Sequence, residues 1–266
     1  MKIIIKTILV VVVCLAVSSS PVKADDVLNP GDIAIIGFNS DVPDQFAFVC
    51  LKEISAGTII YFTDNGWVTT TIPPSFSTGE GRLTWDTPDG CGLGQIVTIN
   101  QNDLPTIGTF KLSTGGDQIL VYQGSDENPS FIFAINFEES DWQLSASSAN
   151  KSARPPGLDA TNSVALVEID NAIHTGGQEF ELPAMSFGSP SQALASIVDK
   201  THWKGDDSTR QTMPSGSFSF TTTAVHLSDL SAETGSESPP WWVLLGLVIV
   251  PVLVMVFKRP KRDCCK

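Results

Sequence analysis

Short apolar runs alternate with turn-forming residues along most of the chain. Between residues 32 and 223, ten runs rich in β-branched and aromatic residues are separated by clusters of Gly, Pro, Asn and Asp. They are IAIIGFN, QFAFVCLK, TIIYFT, GRLTW, QIVTI, TFKL, QILVYQG, FIFAINF, SVALVEI and SFSFTTT. This spacing is typical of an all-β domain, and its length suits one two-sheet β-sandwich.

The periodicity within these runs indicates how each strand is covered. FAFVCLK and TIIYFT are almost continuously apolar, which favours strands that are covered on both faces or central in the sandwich. SFSFTTT alternates, as a strand with one face in water does.

One segment predicts a short helix that packs on the sandwich. Ser189 is a suitable N-cap, Pro190 suits the first helical position, and an apolar stripe of Leu194, Ile197 and Val198 follows.

The C-terminal segment predicts a transmembrane helix over residues 241–257. These seventeen residues carry no charge, and a helix of that length is about 26 Å long, near the lower limit for spanning a bilayer. Trp241 and Trp242 fit the headgroup level, and the basic residues of 258–266 favour a cytosolic tail. A buried helix of a soluble domain would not explain the basic cluster. A bacterial sorting tail is another alternative, but SESPPWW lacks a clear sorting motif.

The N-terminus predicts a secretory signal peptide over residues 1–24. Lys2 and Lys6 precede an apolar run of about ten residues, and cleavage after Ala24 fits the small residues before it. An uncleaved anchor is the alternative. We therefore expect a type I single-pass membrane protein with an ectodomain over 25–223, a flexible stalk over 224–240, the span, and a cytosolic tail.

Cysteine positions agree with this topology. Cys50 and Cys91 fall outside the cell, where an isolated pair usually forms a disulfide. Cys264 and Cys265 follow the span among basic residues, which suits S-palmitoylation as well as it suits ordinary reduced thiols. Asn150 begins an N-glycosylation sequon, which predicts an exposed loop if the host glycosylates asparagine.

The charge of the ectodomain argues against one class of partner. Residues on the outer side of the predicted span include 28 acidic and 8 basic side chains, a net charge near −20. Such a field disfavours phosphate backbones, so nucleic-acid binding is not expected, whereas cationic partners are compatible.

The sequence carries no catalytic signature. His174, His202 and His226 have no partner at metal-ligand spacing, and no nucleophile elbow, P-loop or dinucleotide motif is present. We interpret the histidines as structural or surface residues and expect no cofactor. A carboxylate-based hydrolase directed at glycans would escape such a search, because its two carboxylates meet only in the folded chain.

Acidic turns and tryptophans are the remaining candidate ligand-binding features. Loops at one end of a sandwich could gather carboxylates around a structural Ca²⁺, although Asp and Asn also favour turns for local reasons. An exposed indole could stack on a sugar, although core packing is the simpler interpretation. The candidate ligand or cation residues are Asp41, Asp44, Asp64, Asn65, Trp67, Asp86 and Asp89.

Several stretches resemble a domain family of secreted and surface proteins. GDIAIIGFNSDVPDQFAFVCLKEISAGTIIYFTDNGW, GEGRLTW, STGGDQILVYQG, FIFAINF and NSVALVEIDNAIHTG are similar to a mostly bacterial family of unassigned activity, itself loosely similar to lamin-tail β-sandwich modules. The resemblance covers about residues 28–220. It implies a secreted sandwich, often appended to other domains or to an anchor, and no active site that could be transferred. Here no enzyme domain is appended, and Cys50 and Cys91 are not part of the resemblance.

Together these features predict a membrane-anchored recognition or adhesion module. We expect it to bind an extracellular protein or glycan through loops such as 64–67, without catalysis. The alternative is the hydrolase described above.

Overall fold

Fifteen β-strands, one α-helix and one 3₁₀ helix, Lys200–His202, account for the regular structure of residues 25–177 and 185–221, the part of the chain that the computed structural model describes. The strands are β1 (Ile33–Asn39), β2 (Gln45–Cys50), β3 (Ile59–Thr63), β4 (Trp67–Val68), β5 (Ser75–Phe76), β6 (Arg82–Asp86), β7 (Ile96–Asn100), β8 (Thr106–Ile107), β9 (Gln118–Ser125), β10 (Asn128–Asn136), β11 (Ser163–Ala165), β12 (Asn171–His174), β13 (Ser186–Phe187), β14 (Trp203–Asp206) and β15 (Ser219–Phe220). The helix α1 covers Pro190–Ile197.

Two large sheets dominate the topology. One has five strands in the order β14-β12-β1-β2-β7, and the other has six in the order β11-β10-β9-β3-β6-β8. Pairing is antiparallel in both sheets except between β10 and β11, which are parallel. Two small pairs, β4 with β5 and β13 with β15, complete the set.

Aromatic side chains from both large sheets meet in one hydrophobic core. Phe48 on β2 contacts Phe62 on β3 and Trp85 on β6, with ring centroids 5.1 and 4.8 Å apart. Phe38 on β1 stacks on Phe137 at 4.0 Å. The structure is thus mostly β-sheet with one short helix, which is consistent with the predicted β-sandwich.

The six-stranded sheet is also covered on its second face. Leu120 and Tyr122 on β9 point away from the main core and pack with Trp67, Phe131 and their neighbours in a separate cluster. Burial on both faces explains why the β9 run is apolar at consecutive positions and not at every second one.

Two local predictions are confirmed. Cys50 and Cys91 form a disulfide, with Cα atoms 6.3 Å apart. Helix α1 begins after Ser189, whose side chain accepts a hydrogen bond from the Gln192 amide, and it buries Ala193 and Ile197.

One predicted strand is wrong. TFKL, residues 109–112, forms no strand, because the amides of Lys111 and Leu112 donate to aspartate side chains and not to a neighbouring strand. The same hydrogen bonds build the candidate site described below.

The predicted signal peptide, stalk, membrane span and tail, including Cys264, Cys265 and His226, lie outside the described residues. Within 25–177 and 185–221, no helix combines the length and the apolar character that a bilayer crossing requires.

Candidate functional site

Three acidic side chains from three separate loops converge beside residues 109–117, here called the 109–117 loop, and meet a fourth acid at the end of that loop. Asp44 lies between β1 and β2, Asp64 follows β3, Glu80 precedes β6, and Asp117 precedes β9. Asp44, Asp64 and Asp117 are each at most 1% exposed, and Glu80 is half-buried. We call these four residues the carboxyl cluster.

Three members of the carboxyl cluster hold three consecutive backbone amides. The amide of Lys111 donates to Asp64 Oδ2 at 2.6 Å, that of Leu112 to Asp44 Oδ2 at 2.7 Å, and that of Ser113 to Asp117 Oδ2 at 2.9 Å. Adjacent residues are about 3.8 Å apart along the chain, so the three carboxyl groups must lie close together. The 109–117 loop is therefore fixed by buried side chains and not by a sheet.

The turn after β3 positions two members of the cluster. Asp64 Oδ1 accepts from the amide of Gly81 at 2.8 Å, and Asn65 Oδ1 accepts from the amide of Glu80 at 3.3 Å. A Cβ on Gly81 would lie 2.3 Å from the Phe110 nitrogen, so this glycine permits the close approach of the 109–117 loop. The turn thus fixes the backbone at 80–81 and, through it, the position of Glu80.

Burial dominates the electrostatics of the cluster. It raises the pKa of Asp64 to about 7, with amide hydrogen bonds opposing the rise and the charge of Asp44 adding to it. Burial and the charge of Asp64 raise the pKa of Glu80 to about 8. The pKa of Asp117 is raised well above its usual range by burial and by Glu80, and that of Asp44 is raised by burial. The cluster therefore retains protons near neutral pH.

Two oxygens of the cluster are buried without a hydrogen-bond partner, Asp44 Oδ1 and Glu80 Oε2. No group of three or more His, Cys, Asp or Glu side chains in 25–177 and 185–221 is arranged to hold a metal ion. The chemistry that this arrangement supports most directly is proton binding, since a carboxylic acid needs fewer donors around it than a carboxylate does.

The other predicted acidic residues lie elsewhere. Asp86 and Asp89 are exposed and lie toward the other end of β3. Asp86 pairs with Ile59 at the start of β3, whereas Asp64 follows Thr63 at its end, and these two ends of the strand are about 13 Å apart. Asp41 accepts from Asn171 Nδ2 at 2.8 Å and acts on Asp170, whose pKa burial and neighbouring acids raise to about 6. Of the predicted acids, the cluster brings together Asp44 and Asp64.

A groove of about 340 Å³ opens next to the same turn, on the outer side of the six-stranded sheet. Its apolar wall is Pro73, Pro74 and Phe76 from the β4–β5 hairpin, and Asn65 lines it from the turn after β3. At its mouth lie Asp126 and Glu127 from the β9–β10 turn. We call this the hairpin groove.

Arg82 and Tyr122 organise the acidic side of the hairpin groove. Asp126 Oδ1 accepts hydrogen bonds from Arg82 Nη1 and from Tyr122 Oη, both at 2.5 Å. The Arg82 guanidinium lies 4.4 Å from the centre of the Tyr61 ring. Because Asp126 neutralises Arg82, the charge left along the groove is that of Glu127, which is exposed.

Two fully exposed aliphatic side chains lie in loops adjoining the β4–β5 hairpin. Ile72 at the hairpin tip is 101% exposed, and Leu144 is 96% exposed. The loops that carry them are joined, since Thr69 Oγ1 donates to the Leu144 carbonyl at 2.7 Å. The apolar patch therefore has a supported backbone beneath it.

Trp67 supports this surface from below and does not line the groove. Its indole is 5% exposed and contacts Phe76 and Phe131 edge-on. Trp85 is also buried, as the core interpretation predicts. Asn150 is half-buried, while Ser152 of the same sequon is 1% exposed and accepts from the Trp67 amide at 2.9 Å.

Two histidines meet at a serine near the end of α1. Ser196 Oγ lies 3.1 Å from His174 Nε2 and 2.8 Å from His202 Nδ1, and Asp199 Oδ2 lies 3.8 Å from His202 Nε2. Burial lowers the pKa of His174 to about 4, so this ring is neutral. The contacts tie α1 to β12 and fit the predicted structural role of these histidines.

Glu80 and Asp117 were not among the residues that the sequence singled out. Their convergence depends on the pairing of β3 with β6 and β9, which the sequence does not reveal. A usable signal existed, because three of the stretches that carry the family resemblance supply all four acids: the first supplies Asp44 and Asp64, GEGRLTW supplies Glu80, and STGGDQILVYQG supplies Asp117.

Comparison of the chain with family models, with curated proteins and with solved structures found no match. The resemblance to lamin-tail-like modules thus stays a prediction.

Proposed function

We propose that this chain is a cell-surface recognition module whose hairpin groove binds a basic segment of an extracellular partner protein. The observation that carries the proposal is the groove itself, whose lining combines the apolar side chains of Pro73, Pro74 and Phe76 with the acidic Glu127. A lysine or arginine side chain has matching chemistry, because its methylene stem packs on apolar surface while its charged end reaches a carboxylate.

Charge and exposed apolar area both favour a basic protein over a glycan. The described residues include 23 acidic and 8 basic side chains, which attracts cationic partners over long range. Ile72 and Leu144 offer apolar contact that a hydrophilic sugar could not use well.

The proposal also includes display of the chain at the cell surface. It rests on the sequence of residues 1–24 and 241–257, which are expected to direct the chain into the secretory route and to anchor it there. The membrane is then the second partner of the chain.

The test is a binding measurement on the full chain with a peptide array. The array carries lysine-rich peptides, the same peptides acetylated at every lysine, and a panel of surface glycans. We expect binding to the lysine peptides that falls at least about tenfold on acetylation or with Glu127→Gln, because a charged contact is lost. Ile72→Ser and Leu144→Ser should weaken the same binding.

Leu93→Ser is the matched control, since Leu93 is exposed but lies in the turn near the disulfide, away from the groove. Binding that is equal for lysine and acetyl-lysine peptides, or confined to glycans, would contradict the proposal.

A further inference from the structure

The carboxyl cluster combines a loop with the side chains that hold it. The 109–117 loop has no strand partner at Lys111 or Leu112; the amide bonds to Asp44 and Asp64 attach it to the rest of the molecule, and the bond from Ser113 to Asp117 closes it on itself. It also forms, with Glu80, Ser40 and Val42, the wall of a cavity of about 380 Å³. Movement of the loop would therefore change the shape of this cavity.

The cluster is stable in this geometry when it is partly protonated. Asp44 Oδ1 and Glu80 Oε2 are out of contact with water and have no donor, which is costly for an ionised carboxylate. Because water does not reach these oxygens and the described carboxyls do not form a metal site, a proton is the cation that fits.

The charged groups around the cluster do not offset all of its acids. Lys111 and Arg210 act on Asp44. On the other side, Glu138 lies next to Gly116, and its own carboxylate pairs with Lys151 at 2.9 Å. The influences on Asp64, Glu80 and Asp117 are burial, amide hydrogen bonds and each other's charge. Because both oxygens of Asp64 and of Asp117 accept amide hydrogen bonds, the protons that the three acids share must rest largely on Glu80.

We propose that the carboxyl cluster is a proton-dependent latch: shared protons keep the 109–117 loop closed against Glu80, and their loss in alkaline solution releases it. The sign follows from the neighbours, because ionisation of Glu80 adds a negative charge beside Asp64 and Asp117. The latch is closed at mildly acidic pH and opens as the pH rises past neutrality.

Hydrogen exchange of the full chain, followed residue by residue between pH 6 and pH 9, tests the latch. After correction for intrinsic exchange, we expect the protection of the Lys111, Leu112 and Ser113 amides to fall by about tenfold for each pH unit and each proton released. The amide of Phe48 in central strand β2 reports global unfolding and should keep its protection.

Glu80→Gln is the diagnostic variant, since glutamine has the shape of the protonated acid and no proton to lose. It should retain the protection of these amides at pH 9. Glu138→Gln is the control, because it removes a neighbouring acid outside the cluster and should leave the pH response in place.

Carbon-13 NMR of the side-chain carboxyls gives a readout that needs no variant. We expect Glu80 and Asp64 to titrate in the range in which the loop loses protection. Loop protection that is constant from pH 6 to pH 9, an unchanged response in folded Glu80→Gln, or titration of both carboxyls below pH 5 would each overturn the proposal.

Discussion

At the scale of single residues, Gly81 shows why one position cannot carry a side chain. Its φ angle is ordinary, so the requirement is one of space: an added Cβ would lie 2.3 Å from the Phe110 nitrogen and 2.6 Å from the Thr109 carbonyl carbon. Backbone atoms cannot move aside as the end of a flexible side chain can. The glycine therefore sets the distance between the 80–81 segment and the 109–117 loop.

Replacing Gly81 with alanine should lower the free energy of unfolding by about 1–3 kcal/mol through overcrowding. Urea denaturation of both proteins measures the difference. Gly115→Ala is the matched control, because Gly115 lies in the same loop and its nearest contact would be Ser113 Oγ at 3.8 Å. Equal losses in the two variants would show that space at position 81 is not the cause.

The individual site residues were only partly predictable. Asp64 and Asn65 stood out because they follow an apolar run, and the structure places both beside the site. Glu80 did not stand out, since a glutamate between glycines is typical of an exposed turn. Its burial depends on contacts with a loop about thirty residues further along the chain, and local pattern carries no information about such contacts.

At the scale of elements, apolar runs predicted strands well where the backbone bonds to other strands. IAIIGFN coincides with β1, and QILVYQG lies within β9. The strand predicted for TFKL is absent, because the backbone amides of this segment donate to side chains and not to another strand. The strand predicted for SVALVEI covers its first three residues, Ser163–Ala165, which pair in parallel with β10.

The disulfide connects two elements, because it joins the end of β2 to the turn before β7. Removing both sulfurs with Cys50→Ala and Cys91→Ala should cost about 3–4 kcal/mol, the chain-entropy cost for a loop of about 40 residues. Urea denaturation gives the value, and the wild-type protein treated with reductant is the control. A loss below about 1 kcal/mol in both cases would show that the tie adds little to stability.

At the scale of the whole molecule, two kinds of buried group act in opposite directions as the pH changes. Folding raises the pKa of Asp64 to about 7 and of Glu80 to about 8, so their contribution is complete below the unfolded values near 4 and is lost as the pH rises through 7 and 8. Folding lowers the pKa of His174 to about 4, so its contribution is present above about 6.5 and is lost as the pH falls toward 4.

The melting temperature should therefore decline between pH 6.5 and pH 8.5, where the carboxyls alone change. Each proton that the folded state holds and the unfolded chain does not costs about 1.4 kcal/mol per pH unit, or about 2–4 °C in Tm for a chain of this size, so the decline is steepest at the lower end of this range and levels off as Glu80 ionises. Calorimetry over this range measures the decline. Glu80→Gln should flatten it, whereas Glu53→Gln, at an exposed position, should not; a Tm that rises toward pH 8.5 would contradict the assignment.

The turn of four residues from Asp64 to Trp67 faces two sides of the molecule at once. Asp64 reaches inward to the acids, Asn65 borders the outer groove, and Trp67 lies in the packing beneath that groove. Inserting one residue into this turn would displace all of these side chains, so both the proposed peptide binding and the proposed latch would be lost. The β9–β10 turn, which has exposed Asp126 and Glu127 at its tip, could be lengthened with damage to one side alone. Insertional scanning should thus find that insertions in the first turn abolish both the latch and peptide binding, whereas insertions in the second impair peptide binding alone.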